Sequence, residues 1–271
     1  MFPIDQREGF RSPSYDLLPE LPQVMSCPST DESKQIISQS SNTLIWSGKI
    51  GTTPVIGKLY YSRPSIDWLR SNLTRFRTQR EYAALSHLQR HQVASSRPVF
   101  WTAGYEPKLG GRFEALITET LPDAKPLKRW ITRAETSSAL QVMSKIGALI
   151  RAMHDTGLYH GALYTRNILI CQSEAPTPYI IDTDAAIIFP RSLFASSLAS
   201  IDLLCFCSRL KSRPDASQLI EQLLASYELP PRRHDHFYRQ LNQNEKYPRN
   251  KELIKVYANL YRLHPRNLIP G

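Results

Sequence analysis

The sequence predicts an α+β fold: a small antiparallel sheet with one helix in the first half, then a mainly helical second half. Three observations predict it. The runs "TLIWSGKI" and "PVIGKLYY" are apolar and β-favouring and flank "GTT", the pattern of a hairpin. A stretch of helical period, "SNLTRFRTQREYAALSHLQRH", then separates them from a second pair, "VFWTAGYE" and "GRFEALITETL", with "LGG" near the turn. From Pro122 onward the strand alternation gives way to sustained helical periodicity.

Each element has a physical reason. Residues 1–40 are rich in Pro, Ser and acidic side chains without a sustained period, so they are expected to form an irregular, mobile tail. Residues 41–121 carry the two hairpins and the helix whose apolar series is Leu73, Phe76, Tyr82, Leu85 and Leu88, a β-β-α-β-β order. Residues 122–271 form the helical part. There "SSALQVMSKIGALIRAMHDTG" aligns Leu140, Met143, Ile146, Ile150 and Met153 on one stripe and ends on Gly157, where a left-handed residue is wanted. "PYIIDTDAAII" reads as a short buried strand pair, and "ASIDLLCFCSRL", "DASQLIEQLLASY" and "ELIKVYANLYRL" as further helices.

At 271 residues and 41% hydrophobic content, the chain can bury a proper core. It has no run of about 18 apolar residues and no apolar stretch near its first residues, so a cytoplasmic protein without a spanning helix is expected. The four cysteines lack metal-ligand spacing, and Cys205 and Cys207 fall on a buried helix pattern, which points to packing. A net charge of +10 points to an anionic partner. Arginines gather at Arg63, Arg70, Arg75, Arg77 and Arg80 and again at Arg232, Arg233 and Arg239.

Phosphoryl transfer depends mostly on positioning and charge neutralisation: a lysine for the nucleotide phosphates, a glutamate to hold it, and oxygen ligands for the metal. Lys58 stands in the second strand and Glu81 on the helix that follows. In "LYHGALYTRNILI", His160, Ala162, Leu163 and Asn167 occupy the offsets of H-x-D-L-x-x-x-N, and "YIIDTDAA" supplies Asp182 after an apolar run. Asn167 and Asp182 offer the hard oxygens that Mg²⁺ takes. Ala162 stands where the acceptor's proton partner, an aspartate, is expected.

With these residues the chain resembles the lipopolysaccharide kinase family, kinase-fold proteins of Gram-negative bacteria that phosphorylate heptose or Kdo sugars of the lipopolysaccharide core. The likeness runs from about Leu44 to Leu210, through "GKLYY", "QREYAALSHL", "ALITETLPDAKPL", "LYHGALYTRNILI", "YIIDTDAA" and "SIDLLCFCSRL". It implies a protein-kinase-like fold, ATP and Mg²⁺ as cofactors, and a core sugar or other anionic glycolipid as partner, met at the inner-membrane surface. It further implies that Thr118, Glu119 and Leu121 meet the adenine through backbone groups and that Asp202 buttresses the catalytic loop.

Two departures stand out. No G-x-G-x-x-G is present, Gly48 and Gly51 lying in a shorter turn, and Ala162 removes a group typically worth about 10²–10⁴-fold in rate. The leading expectation is therefore an ATP-binding, pseudokinase-like protein of lipopolysaccharide biogenesis with reduced or absent transfer. The alternatives are an active core-sugar kinase with an atypical base, Asp184 or His160, and a basic binding module for nucleic acid or anionic membrane. Nucleic acid ranks last, because the basic stretches interleave few aromatics.

Overall fold

The computed structural model describes residues 35–61, 76–106, 111–172 and 175–243. Two compact units divide the chain, Met1–Ser86 with Ser96–Leu121 and His87–Ser95 with Pro122–Gly271. In the first unit, strands β1 (Gln35–Gln39), β2 (Thr43–Ile50), β3 (Thr53–Tyr61), β4 (Pro98–Glu106) and β5 (Gly111–Glu119) form an antiparallel sheet in the order β1-β2-β3-β5-β4. Helix α1 (Arg77–Arg90) lies between β3 and β4 in sequence.

Strand β1 falls within the first forty residues, where the sequence suggested irregular chain. All five of its residues are exposed, so its sequence carries no buried alternation to betray it. The turn between the first two strands is consequently Ser40–Asn42, closed by the Ser40 N–H donating to Thr43 O at 2.8 Å. Gly48 instead sits inside β2, opposite Val55, and Gly51, with φ +56°, starts the two-residue turn into β3. Leu73, Arg63, Arg70, Arg75, Cys27 and the helix expected in "ELIKVYANLYRL" lie outside the described residues.

Alternation along β3 sorts its two faces. Val55, Gly57 and Leu59 are buried on one side, with Leu44, Trp46, Ile50, Phe113, Ala115 and Ile117 in the same apolar cluster. Trp46 pairs with Gly57 across the ladder and fills the space a side chain would take, since a Cβ on Gly57 would lie 2.1 Å from the indole. Ile56, Lys58 and Tyr60 take the other side.

The second unit is built on α3 (Thr136–Asp155), whose buried stripe includes Ala139, Met143, Ile146, Ile150 and Met153. Around it stand β6 (Ala124–Pro126), α2 (Leu127–Trp130), β7 (Leu158–Tyr159), β8 (Ile168–Cys171), β9 (Thr177–Ile180), β10 (Ile187–Ile188), α4 (Ser197–Cys207), α5 (Ala216–Tyr227) and α6 (His234–Gln243). Gly157 adopts φ +83° just past α3, as its position suggested. The strands in "PYIIDTDAAII" do not pair with each other, contrary to expectation: β9 joins β8 and β6, whereas β10 pairs with β7. Cys205 and Cys207 are buried in α4, and burial pushes the Cys207 thiol pKa far up, which suits packing.

Gly57→Ala is expected to force Trp46 out of its place and lower stability by about 1–3 kcal/mol. Urea unfolding with tryptophan fluorescence checks this, and an unchanged midpoint with unchanged emission would show that the contact is slack.

Candidate functional site

In the first unit Lys58 and Glu81 form an ion pair, with Lys58 Nζ 2.6 Å from Glu81 Oε1. Glu81 is 1% exposed, so its carboxylate depends on this partner for charge compensation. Three contacts align α1 for it. The Arg77 guanidinium lies 4.2 Å above the Tyr60 ring, and Glu114 on β5 accepts from both the Thr78 backbone N–H (3.0 Å) and its hydroxyl (3.3 Å). A carboxylate at the first turn of α1 satisfies donors that a helix start leaves open and complements its dipole. Tyr60 pairs with Glu114 and Lys58 with Leu116, so register alone brings this set to one face of the sheet.

At the end of β5, Thr118 is buried, and the Glu119 N–H donates to Arg97 O at 2.9 Å while its carboxylate pairs with the Arg97 guanidinium at 3.0 Å. The Thr120 N–H donates to Pro54 O. The Leu121 N–H has no hydrogen-bond partner among the described residues.

The second unit holds the loop. Asp202, fully buried on α4, accepts from the His160 N–H through Oδ2 (2.8 Å) and from the Gly161 N–H through Oδ1 (3.0 Å). Ser196 caps α4 by accepting from the Ala199 N–H, which fixes the turn from which Asp202 projects. His154 adds a third contact to Asp202, Nε2 to Oδ2 at 3.3 Å, while its Nδ1 faces the Tyr227 hydroxyl at 2.9 Å. A ring donating from Nε2 and accepting from the phenol at Nδ1 satisfies all of these atoms. Burial raises the Tyr227 pKa well above its ordinary value, keeping the phenol a donor.

His160 is also fully buried, and its Nε2 donates to Ile181 O at 3.2 Å, with Nδ1 unpartnered among the described residues. In this position it ties the loop to the segment before Asp182. The Ile181 N–H donates in turn to Asn167 O at 3.0 Å, and Asn167 Nδ2 donates to Ala162 O at 2.9 Å. Asp182 holds φ +60°, a conformation that carries strain and is tolerated better by Asp than by most residues. Gly161 holds φ +74°, and a Cβ there would meet Ala185 O at 2.8 Å, so the loop lies against the turn that carries Asp184. Asp184 and Ala162 are both partly exposed.

The structure thus gathers His160, Ala162, Asn167, Asp182 and Asp184 in one unit, and Lys58 with Glu81 in the other. Glu114, His154 and Tyr227 escaped the sequence reading. Their partners lie 36, 48 and 73 residues away in the chain, and no local spacing announces them. Asp202→Ala would strand two loop amides and the His154 Nε2–H, and is expected to lower stability by about 3–5 kcal/mol. Chemical denaturation measures this, and a loss below about 1 kcal/mol would mean that the carboxylate is not what holds the loop.

Comparison with known proteins bears on the family and the fold. The profile of the Lipopolysaccharide kinase (Kdo/WaaP) family matches residues 46–191. The chain is 33% identical over 130 residues to a 3-deoxy-D-manno-octulosonic acid kinase of Photobacterium damsela subsp. piscicida, an alignment covering 47% of this chain and 51% of that protein. It therefore spans about half the length of that curated relative. Among solved structures, WaaP in complex with acyl carrier protein superposes with a TM-score of 0.56 at 14% identity, over 78% of this chain and 87% of that one, a likeness of fold. A kinase-like α+β fold, with its lysine–glutamate pair and its tied loop, and a family match over more than half of the sequence lead to one conclusion: the chain belongs to the lipopolysaccharide kinase (Kdo/WaaP) family.

Proposed function

We propose that this member of the family binds Mg·ATP and transfers phosphoryl groups slowly or not at all, serving lipopolysaccharide biogenesis chiefly through its nucleotide-bound form. One observation carries the reading: at Ala162 the acceptor's proton partner is missing from a loop whose other ties are all made. Lys58, held by Glu81, suits nucleotide phosphates. Of the three residues proposed to meet the adenine, Thr118 lies within the β5 ladder and the Glu119 N–H is already spent on Arg97, so Leu121 is the remaining donor.

The metal ligands fit by their chemistry. Asn167 spends its amide nitrogen on Ala162 O, which leaves Oδ1 for a cation, and Asp182 offers a carboxylate. Mg²⁺ is usually held by one or two protein ligands together with substrate phosphates and water, and these two residues would supply the protein's share. When bound, it would neutralise charge on the transferring group. Without a carboxylate at 162, the loop lacks the group that in kinases orients the acceptor hydroxyl and takes its proton.

The second reading, an active core-sugar kinase, is favoured by Asp184, a partly exposed carboxylate on the turn against which Gly161 packs. His160 is the weaker candidate, being buried and bonded to Ile181 O. The acceptor in either case would be a core sugar such as the 3-deoxy-D-manno-octulosonic acid named for the relative, at the cytoplasmic face of the inner membrane. Among the described residues no helix is long and apolar enough to cross that membrane.

Thermal denaturation with and without Mg·ATP tests binding. At 100-fold excess over Kd the ligand should stabilise the chain by about 2.7 kcal/mol, and an unmoved melting point would end the nucleotide reading. Turnover with ATP and a deacylated core oligosaccharide tests transfer. Ala162→Asp should raise the rate about 10²–10⁴-fold. A wild-type chain already as fast as Ala162→Asp, and disabled by Asp184→Asn, would establish the second reading in place of the first.

A further inference from the structure

Two residues beyond Ala162, the loop presents a feature the nucleotide chemistry does not use. The guanidinium carbon of Arg166 lies 4.9 Å from the centroid of the Tyr164 ring, and that of Arg209 lies 5.1 Å from the same centroid. Arg166 comes from the short 3₁₀ turn Thr165–Asn167 and Arg209 from just past the end of α4, so loop and helix bring two cations to one aromatic ring. Both arginines are exposed. Neither pairs with a carboxylate among the described residues, whereas Arg151, over the Phe194 ring, is balanced by Asp155 and Glu228.

Two like charges gathered on one ring repel each other. Cation–π attraction, about 0.5–1 kcal/mol for each at an exposed site, orients them without neutralising them. An anion bridging the two guanidiniums would complete the arrangement, since each fork matches a carboxylate or phosphate in a bidentate manner. Location supplies the second argument. Leu163 is fully buried, which leaves Ala162 and Tyr164 as the partly exposed residues on either side of it. Tyr164 and its two guanidiniums thus stand two residues along the loop from the position at which an acceptor hydroxyl would be handled.

We propose that Arg166, Arg209 and Tyr164 form an acceptor-recognition site for an anionic group, a carboxylate or a phosphate ester, carried by the sugar. This rests on the kinase-family reading of the loop and adds the side chains that would hold the acceptor's charge. Asn167, next to Arg166, is tied to Ala162 O, so the same turn that would offer a metal ligand also fixes the base of one recognition arm. A chain with no base at 162 could thus still hold an anionic sugar.

Direct binding tests it without requiring turnover. Titration calorimetry would use 3-deoxy-D-manno-octulosonic acid, its uncharged methyl ester and a hexose 6-phosphate against the full chain and against R166Q, R209Q and the double variant. The wild type should bind the sugar acid or the sugar phosphate, more weakly as salt rises, and should not bind the ester. Which anion is preferred identifies its source. Each single substitution should weaken binding roughly tenfold, and Tyr164→Ala should weaken it with both arginines present. The proposal is overturned if neither anion binds, if the ester binds as well as the acid, or if the double variant binds like the wild type. Mg·ATP stabilisation, measured on the same wild-type sample, separates the two readings. A chain that responds to Mg·ATP and ignores the sugars defeats this proposal alone, and one that binds the sugars through these arginines without responding to Mg·ATP defeats the nucleotide reading alone.

Discussion

The carboxylate of Asp202 is the point on which the loop of the second unit depends. It is removed from solvent, and its charge is compensated by hydrogen bonds from two successive loop amides and by the His154 ring. Charge-assisted bonds of this kind are about twice as strong as neutral ones, and a low-dielectric surrounding sharpens them. Because both carboxylate oxygens are engaged by adjacent residues, the peptide at 160–161 is fixed in direction as well as place. His160 can then reach Ile181, and through Ile181 the loop and the Asp182 segment become one hydrogen-bonded assembly.

The first unit reaches a comparable result by other means. There a sheet register and one helix align Lys58 with Glu81, and the helix is held at its start by Glu114 and by the stacking of Arg77 on Tyr60. Burying Glu81 raises the cost of misplacing it, since an uncompensated carboxylate in that setting is worth several kcal/mol. Trp46 backs the same strand from the opposite face, against Gly57, the residue beside Lys58. Packing on one face and electrostatics on the other thus act on neighbouring residues of β3.

What was legible in the sequence follows from how local each determinant is. The loop's spacing is visible because His160, Ala162 and Asn167 lie close together in the chain, and α3 reads because its stripe repeats over twenty residues. Strand β1 does not read, since a strand exposed on both faces has no alternation. The partners of β9 and β10 do not read because strands of four and two residues are chosen by the tertiary structure around them. Glu114 looks like any strand carboxylate, and His154 like the polar end of a helix, until the chain folds and brings Thr78 and Tyr227 to them. Polar groups buried by long-range contacts are what composition and period leave out.

The bond from Asn167 to residue 162 ends on that residue's backbone carbonyl. Every amino acid supplies the same carbonyl, so this bond does not depend on which side chain stands there. Scaffold and chemistry are in this sense written in separate alphabets, one in peptide groups and one in the group attached to a single Cα. A substitution at 162 therefore leaves this tie in place. The shape inherited with the family is then compatible with either a working transferase or a silent receptor for the same ligands.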